Sequence, residues 1–411
     1  MIVLTKFGEE VVRLSLYNII EPTRQMNIAV VASTKANHNL SLNQALAIAG
    51  QNAAVCYMKG THADNMREPE EASIARALKA VKDGHHSIFD HIKYSFDMIK
   101  FPKILAMILN NQKIYDSSEK SARYTQMKDD VSDVERALYD KWLQIFKNRI
   151  FSIDPKIDEQ KIIKLAQENA RYLTSVFTPT ELVHTLSIRQ INYLRHRVKI
   201  FVSARYVNDF IESIKPYMQE FLRLTDFLHI EGLNDGKGCR LAFFDYDEHR
   251  DEEFGQSYCI KYSGSWTQIA QGQRHRTTDI RVNFINSSLP SNLRHYLPPM
   301  LAGTPYEDLW YIAMDSVDHL HPQGGLVSVV ERGKHEDFIL KSQERLCYCA
   351  QAEIANQTWL NLQRYLEETA RNGSNVYDKL EPFDYDLRCA AQYECATKCQ
   401  HYKKDQRSRL F

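Results

Sequence analysis

The stretch "GSWTQIAQGQRHRTTDIRVNF" (residues 264–284) runs from a short helical pattern into an alternating strand, with an R-H-R triplet at the seam. Arg274, His275 and Arg276 form the triplet, and Gln271 stands three residues upstream. Guanidinium groups gathered at a helix end can take an anionic oxygen pair through two parallel bonds. The clustering needs a reason, because Lys+Arg and Asp+Glu each total 52 in 411 residues and the formal net charge is zero. Neutrality argues against a broad electrostatic grip on nucleic acid, and leaves room for a small anionic ligand. The triplet alone is weakly specific. "YLRHRVKIF" carries another at Arg195 to Arg197, inside an amphipathic helix, where it reads as a solvated face.

Working outward, "EHRDEEFG" and the strand "SYCIKYSG" precede the stretch. The helix "YEDLWYIAMDSVDHL", the strand "GLVSVVERG" and one long helix from "HEDFILK" to "RYLEE" follow it. The first half has the same order of parts. The helix "EEASIARALKAVKDG" stops at Gly84, "HHSIFDH" comes next, and then the strand "IKYSFDMIKF". Pro102 is expected at the first position of the short helix "PKILAMILNN". Two further helices, the strand "ELVHTLSIR" and a helical region from Gln190 to about Phe227 complete the half. The expected fold is therefore α+β, with two tandem repeats at residues 1–230 and 231–411, each a small sheet with long helices. The Gly-, Asn- and Asp-containing "HIEGLNDGKG" is the expected linker.

No apolar run approaches the ~20 residues that span a bilayer. Two glutamates interrupt "MIVLTKFGEEVVRLSLYNII" where a signal peptide has its apolar core, so a cytoplasmic address is expected. The eight cysteines then read as thiols. Cys389, Cys395, Cys399 and His401 cluster near the end, but their spacings match no standard zinc ribbon or finger, and no metal is expected. Cys347 and Cys349, two apart on the expected long helix, do not share a face.

These motifs resemble the flavin-dependent thymidylate synthases (ThyX), whose signature is R-H-R-x-x-S-x-N-x-x-S-x-R-Y. In that family G-H-x-S/T-x-x-E-H precedes it, and a glutamine stands three residues before the first arginine. Here "GHHSIFDH" (residues 84–91) has Asp90 for the glutamate, and "NQKIYDSSEKSARY" keeps Ser121, Arg123 and Tyr124. Asn111, Gln112 and Lys113 replace the R-H-R, and Ile108 replaces the glutamine. The second half is the complement. It keeps Gln271 and Arg274 to Arg276 and loses the later signature residues; counted back likewise, His249 falls within one residue of the place of His85. The downstream T-E-x-x-x-T-x-x-x-R appears as "TELVHTLSIR" (residues 180–189), and the late A-Q-x-E-I as "AQAEI" (residues 350–354).

The resemblance implies reductive methylation of dUMP to dTMP. Methylenetetrahydrofolate would give the carbon, FAD the hydride, and NADPH would be a further co-substrate. Carried over by position, it implies nucleotide contacts at Glu119, Ser121, Arg123, Arg189, Gln271 and Arg274, the last two also carrying the catalytic role. It implies flavin contacts at His85, Ser87, His249, His275 and Arg276. Family sites form between subunits of a tetramer, so a duplicated chain is expected to pair as a homodimer, a pseudo-tetramer. Other readings stand beside these. His85 and His86 after Gly84 can simply complete a helix C-terminus, and Ser121 with Arg123 can be a turn and a surface arginine. Because neither half carries a whole signature, the alternatives are a catalytically silent protein of this fold that binds nucleotide or flavin, or a related flavoenzyme acting on another uridine-type nucleotide.

Overall fold

The computed structural model describes residues 26–33, 40–111, 114–121, 130–205, 208–234, 251–384 and 410. The chain forms two compact units, each discontinuous in sequence: Met1–Lys120 with Pro179–Leu241, and Ser121–Thr178 with Ala242–Phe411. The described residues 130–178 thus pack with the C-terminal half.

The first unit holds a four-stranded antiparallel sheet in the order β1-β2-β4-β3, from Asn27–Ser33, Lys93–Pro102, Asp116–Glu119 and Pro179–Ser187. On β2 the alternation expected of a half-buried strand holds: Tyr94, Phe96 and Met98 are buried, while Ser95 and Asp97 are only partly so. The helix Glu70–Lys82 has acids in its first turn and lysines in its last, matching the helix dipole. It stops as expected at Gly84, whose φ of 77° suits a residue without Cβ, and the His85 N–H bonds the Ala80 carbonyl at 2.8 Å. Pro102 differs from expectation by one place. It caps the helix Lys103–Asn110 and ends β2, where its missing N–H again costs nothing.

The helical region expected from Gln190 to Phe227 is two helices, Ile188–Ser203 and Asp209–Leu224. The first begins early because Ser187 and Gln190 form a capping box, with Ser187 Oγ accepting from the Gln190 N–H at 3.2 Å. Arg189 therefore sits in a helical first turn. Arg195 is not on a solvated face. It is buried, and its guanidinium donates to the Leu222 carbonyl at 2.5 Å, Thr225 Oγ1 at 2.7 Å and Asp226 at 2.7 Å.

The second unit holds another four-stranded antiparallel sheet, order β5-β6-β8-β7, from Glu253–Phe254, Ser257–Ser265, Asp279–Phe284 and Leu326–Lys334. Its core gathers the helices Asp133–Ile153 and Glu159–Ala170 around Trp142 and Trp310, which meet edge to face at 4.8 Å. The single long helix expected after β8 is broken. His335–Arg345 and Ala352–Arg371 are separate helices, and Cys347 and Cys349 lie in the break.

The two sheets share strand order, and they share register at the end of β2, beyond a shift between Met98 and Phe101 that β6 lacks. Phe101 faces Thr180 and Pro102 faces Pro179, as Gly264 faces Val327 and Ser265 faces Leu326. Asp116 faces Thr185, as Asp279 faces Arg332. One offset of 163 residues relates both β2 to β6 (102 to 265) and β3 to β7 (116 to 279). The same offset takes Ile108 to Gln271 and Asn111 to Arg274.

Candidate functional site

In the second unit Ser265 caps the helix Trp266–Gly272, its Oγ accepting from the Gln268 N–H at 3.1 Å. The helix ends at Gly272, so Arg274 to Arg276 lie beyond it in the turn leading to β7. The Arg274 N–H reaches the Gln271 carbonyl at 3.2 Å and the His275 N–H reaches the Gly272 carbonyl at 3.0 Å. The last carbonyls of a helix favour cations. Arg274 is half-buried there and Arg276 is exposed.

His275 is different. It is buried, and Arg345 Nε donates to its Nε2 at 2.7 Å while Arg345 Nη2 donates to the Gln271 carbonyl at 3.2 Å. An imidazole nitrogen that accepts from a guanidinium carries no proton, so the ring is neutral with its hydrogen on Nδ1. Burial first, then the charges of Arg345 and Lys341, push its pKa down to about 2. The triplet therefore offers two cations and one neutral donor.

This has a measurable consequence. Between the ordinary value of 6.5 and about 2, the unfolded chain binds a proton that native His275 does not. The native state then loses about 1.4 kcal/mol per pH unit below 6.5, or ~2 kcal/mol near pH 5. His275→Gln keeps an acceptor for Arg345 without titrating. Its melting temperature is expected to fall less than the wild type's between about pH 7.5 and 5. Parallel curves would show that His275 is not held neutral.

Behind Gln271 lies a buried polar chain. Gln271 Nε2 and Arg171 Nη2 both donate to Gln351 Oε1. Gln351 Nε2 donates to Tyr172 Oη at 2.6 Å, and Tyr172 donates to Glu353 at 2.8 Å. Glu353 also accepts from Ser265 N–H at 3.0 Å and Ser265 Oγ at 2.7 Å. Burial raises the Glu353 carboxyl and holds Tyr172 well above the usual phenol range. Gln351 and Glu353 belong to the "AQAEI" motif, which marked their place but not their role. Arg171, Tyr172 and Arg345 carried no such mark.

In the first unit the two family motifs meet. Asp90 of "GHHSIFDH" accepts from Arg189 Nη1 at 2.7 Å and from Ser187 Oγ at 2.9 Å. Arg189 is buried, and Asp90 is partly open to solvent. Glu119 is held by Lys103 Nζ at 2.6 Å and Asn110 Nδ2 at 3.3 Å. His85 is exposed just before the turn His86–His91 and Ser87 is exposed within it, while His86 is buried with Nε2 3.0 Å from the Val81 carbonyl. Ser121 is half-buried. Arg123, His249, Cys389, Cys395, Cys399 and His401 lie outside the described residues. Among the described residues no cluster of three His, Cys, Asp or Glu could hold a metal, and no helix is long and apolar enough to cross a membrane.

Residues 40–201 match the family model described as thymidylate synthase complementing protein. Over that stretch the match bears out the resemblance to the flavin-dependent thymidylate synthases. Among solved structures, the chain is similar to Thymidylate Synthase X (ThyX) from Helicobacter pylori with FAD and dUMP. Identity is 15%, the TM-score 0.30, and the similarity covers 51% of this chain and 100% of that one. It is also similar to the UMP/dUMP methylase PolB from Streptomyces cacaoi bound with 5-Br dUMP, at 16% identity and a TM-score of 0.30, covering 50% of this chain and 93% of that one. No curated protein matches.

Proposed function

We propose that this chain is an enzyme of the flavin-dependent thymidylate synthase type, built from tandem repeats at 1–230 and 231–411. On this reading it methylates dUMP to dTMP in the cytoplasm, with methylenetetrahydrofolate, NADPH and FAD, as a homodimer burying well over ~2,000 Å². One observation carries the reading. The family match contains the motif pair joined by Asp90 and Arg189, and the strand register repeated 163 residues on supports reading Gln271 and Arg274 as the counterparts of Ile108 and Asn111. The shared strand order supports duplication.

The donors at the turn suit anionic ligands: two guanidiniums, plus a neutral Nδ1–H from His275. His275 and Arg276, with His85, Ser87 and His249, would hold the flavin, which supplies the redox chemistry when bound. Gln271 and Arg274 would orient the nucleotide, together with Glu119, Ser121, Arg123 and Arg189. A second reading has its own support. Gln271, His275 and Glu119 already spend bonds on protein groups, as expected of a silent protein of this fold that only binds nucleotide or flavin.

Purified protein is expected to be yellow, with a flavin absorbance band, and to convert dUMP to dTMP. A coloured but inactive protein supports the silent reading, and a colourless one that takes up no FAD removes the synthase reading and moves the weight to a silent protein of this fold. Lysine keeps a charge but loses the guanidinium fork. Arg274→Lys is therefore expected to weaken dUMP binding in calorimetry nearly as much as Arg274→Ala, by ~10- to 100-fold. Unchanged affinity in both variants would take the nucleotide away from Arg274.

A further inference from the structure

A carboxamide has two chemically opposite ends, and which end faces a ligand depends on what holds the other. We propose that Gln271 meets its ligand as a hydrogen-bond acceptor, and that Arg171 and Gln351 are positioning residues that impose this polarity. The proposal rests on the nucleotide-and-flavin reading and names what that site selects.

The polarity follows link by link. A guanidinium has donors only, so the Gln351 atom bonded to Arg171 is its oxygen. Gln351 Nε2 then donates to Tyr172, whose proton goes on to Glu353 at 2.8 Å. Glu353 takes two more donors from Ser265, so the chain runs one way from both ends. Gln271 can meet Gln351 Oε1 only through its own Nε2. That leaves Gln271 Oε1, to which no described residue donates, as the end available to a ligand.

An acceptor at this turn fits a ring bearing an N–H between two carbonyls, the imide of uracil or of an isoalloxazine. It opposes the cytosine ring, which presents a lone pair there. A site built to satisfy one hydrogen-bond pattern rejects the ligand that leaves its groups unpaired.

Calorimetry with dUMP, dCMP and N3-methyl-dUMP, and fluorescence titration with riboflavin and 3-methylriboflavin, test the proposal on the full chain. The wild type is expected to prefer the N–H form of whichever ligand sits on Gln271 by at least ~10-fold. Preference for dUMP over its methylated form places the nucleotide there. The corresponding riboflavin preference places the flavin. Arg171→Met lets Gln351 turn, so the preference should collapse towards parity, whereas Arg171→Lys, still an obligate donor, should keep it. Should Arg171→Met fail to fold, Gln271→Leu removes the acceptor at the half-buried helix end and is expected to abolish the same preference. Binding of dUMP and riboflavin with no preference for either N–H form, or a preference that survives Arg171→Met or Gln271→Leu, overturns the proposal and leaves the broader reading standing. Binding of neither probe defeats that reading, and the proposal with it.

Discussion

Lys341→Met is expected to destabilise the unit that contains it by about 3–5 kcal/mol, because it strands a buried carboxylate. Lys341 and Glu331 are almost wholly inaccessible, and Lys341 Nζ lies 2.6 and 2.8 Å from the two Glu331 oxygens. Tyr258 and Tyr262 also donate to that carboxylate, at 2.9 and 2.8 Å. Burial first, then the negative charge of Glu331, hold both phenols well above their usual range, so both remain donors. Without the ammonium, two neutral donors face a full charge inside the unit. Adding Glu331→Gln removes that charge, and the double variant is expected to recover more than half of the loss. Urea denaturation checks both steps. A loss below about 1 kcal/mol in the single variant would mean that water reaches the pair. The effect extends to the site, since Lys341 shares the helix His335–Arg345 with the arginine that bonds His275. Lys341 is also one of the charges that hold His275 neutral, so its loss should soften the acid sensitivity of that histidine.

Local chemistry made much of the fold legible. The helix stop at Gly84, the alternation on β2 and the helix-to-strand step after Gln271 all depend on residues within a turn or two, and the structure follows them. Long-range pairing was not legible in the same way. The run from His335 to Arg371 keeps helical periodicity through residues 346–351 without a glycine or proline to mark the break. Yet that break presents Gln351 to Gln271 and Arg171. Arg195 failed as a solvated residue because the carbonyl, hydroxyl and carboxylate that receive it lie 27 to 31 residues further along the chain. The Gln271–Arg276 cluster was visible as residue types in order. Its charge state was not, because the neutrality of His275 comes from burial beside Arg345, 70 residues away.

Gly50→Ala is expected to cost about 3 kcal/mol or more, despite replacing a helical glycine with the best helix former. Gly50 lies in the helix Leu42–Tyr57, which packs against the helix Glu70–Lys82. A Cβ built at Gly50 falls 1.8 Å from the Ser73 carbonyl oxygen and 2.6 Å from its carbon. No rotamer relieves this, since the Cβ position is fixed by the backbone and the obstacle is itself backbone. The helices must separate, and a polar knot spanning them goes too. Arg76 Nη1 donates to the Gly50 carbonyl at 3.0 Å, Arg76 Nη2 holds Glu68 at 2.6 Å, and Ser73 Oγ donates to Glu68 at 2.5 Å. Propensity returns only ~1 kcal/mol against these losses. The pH dependence gives an independent check. The Arg76 hydrogen bond chiefly holds the Glu68 carboxyl down at about 2, against an ordinary 4.5. Stability from that group is fully present above 4.5 and is lost as pH falls from there towards about 2. If the crossing opens, this acid-sensitive part should shrink in Gly50→Ala. A variant as stable as the wild type, with the same acid limb, would show that the two helices do not approach this closely.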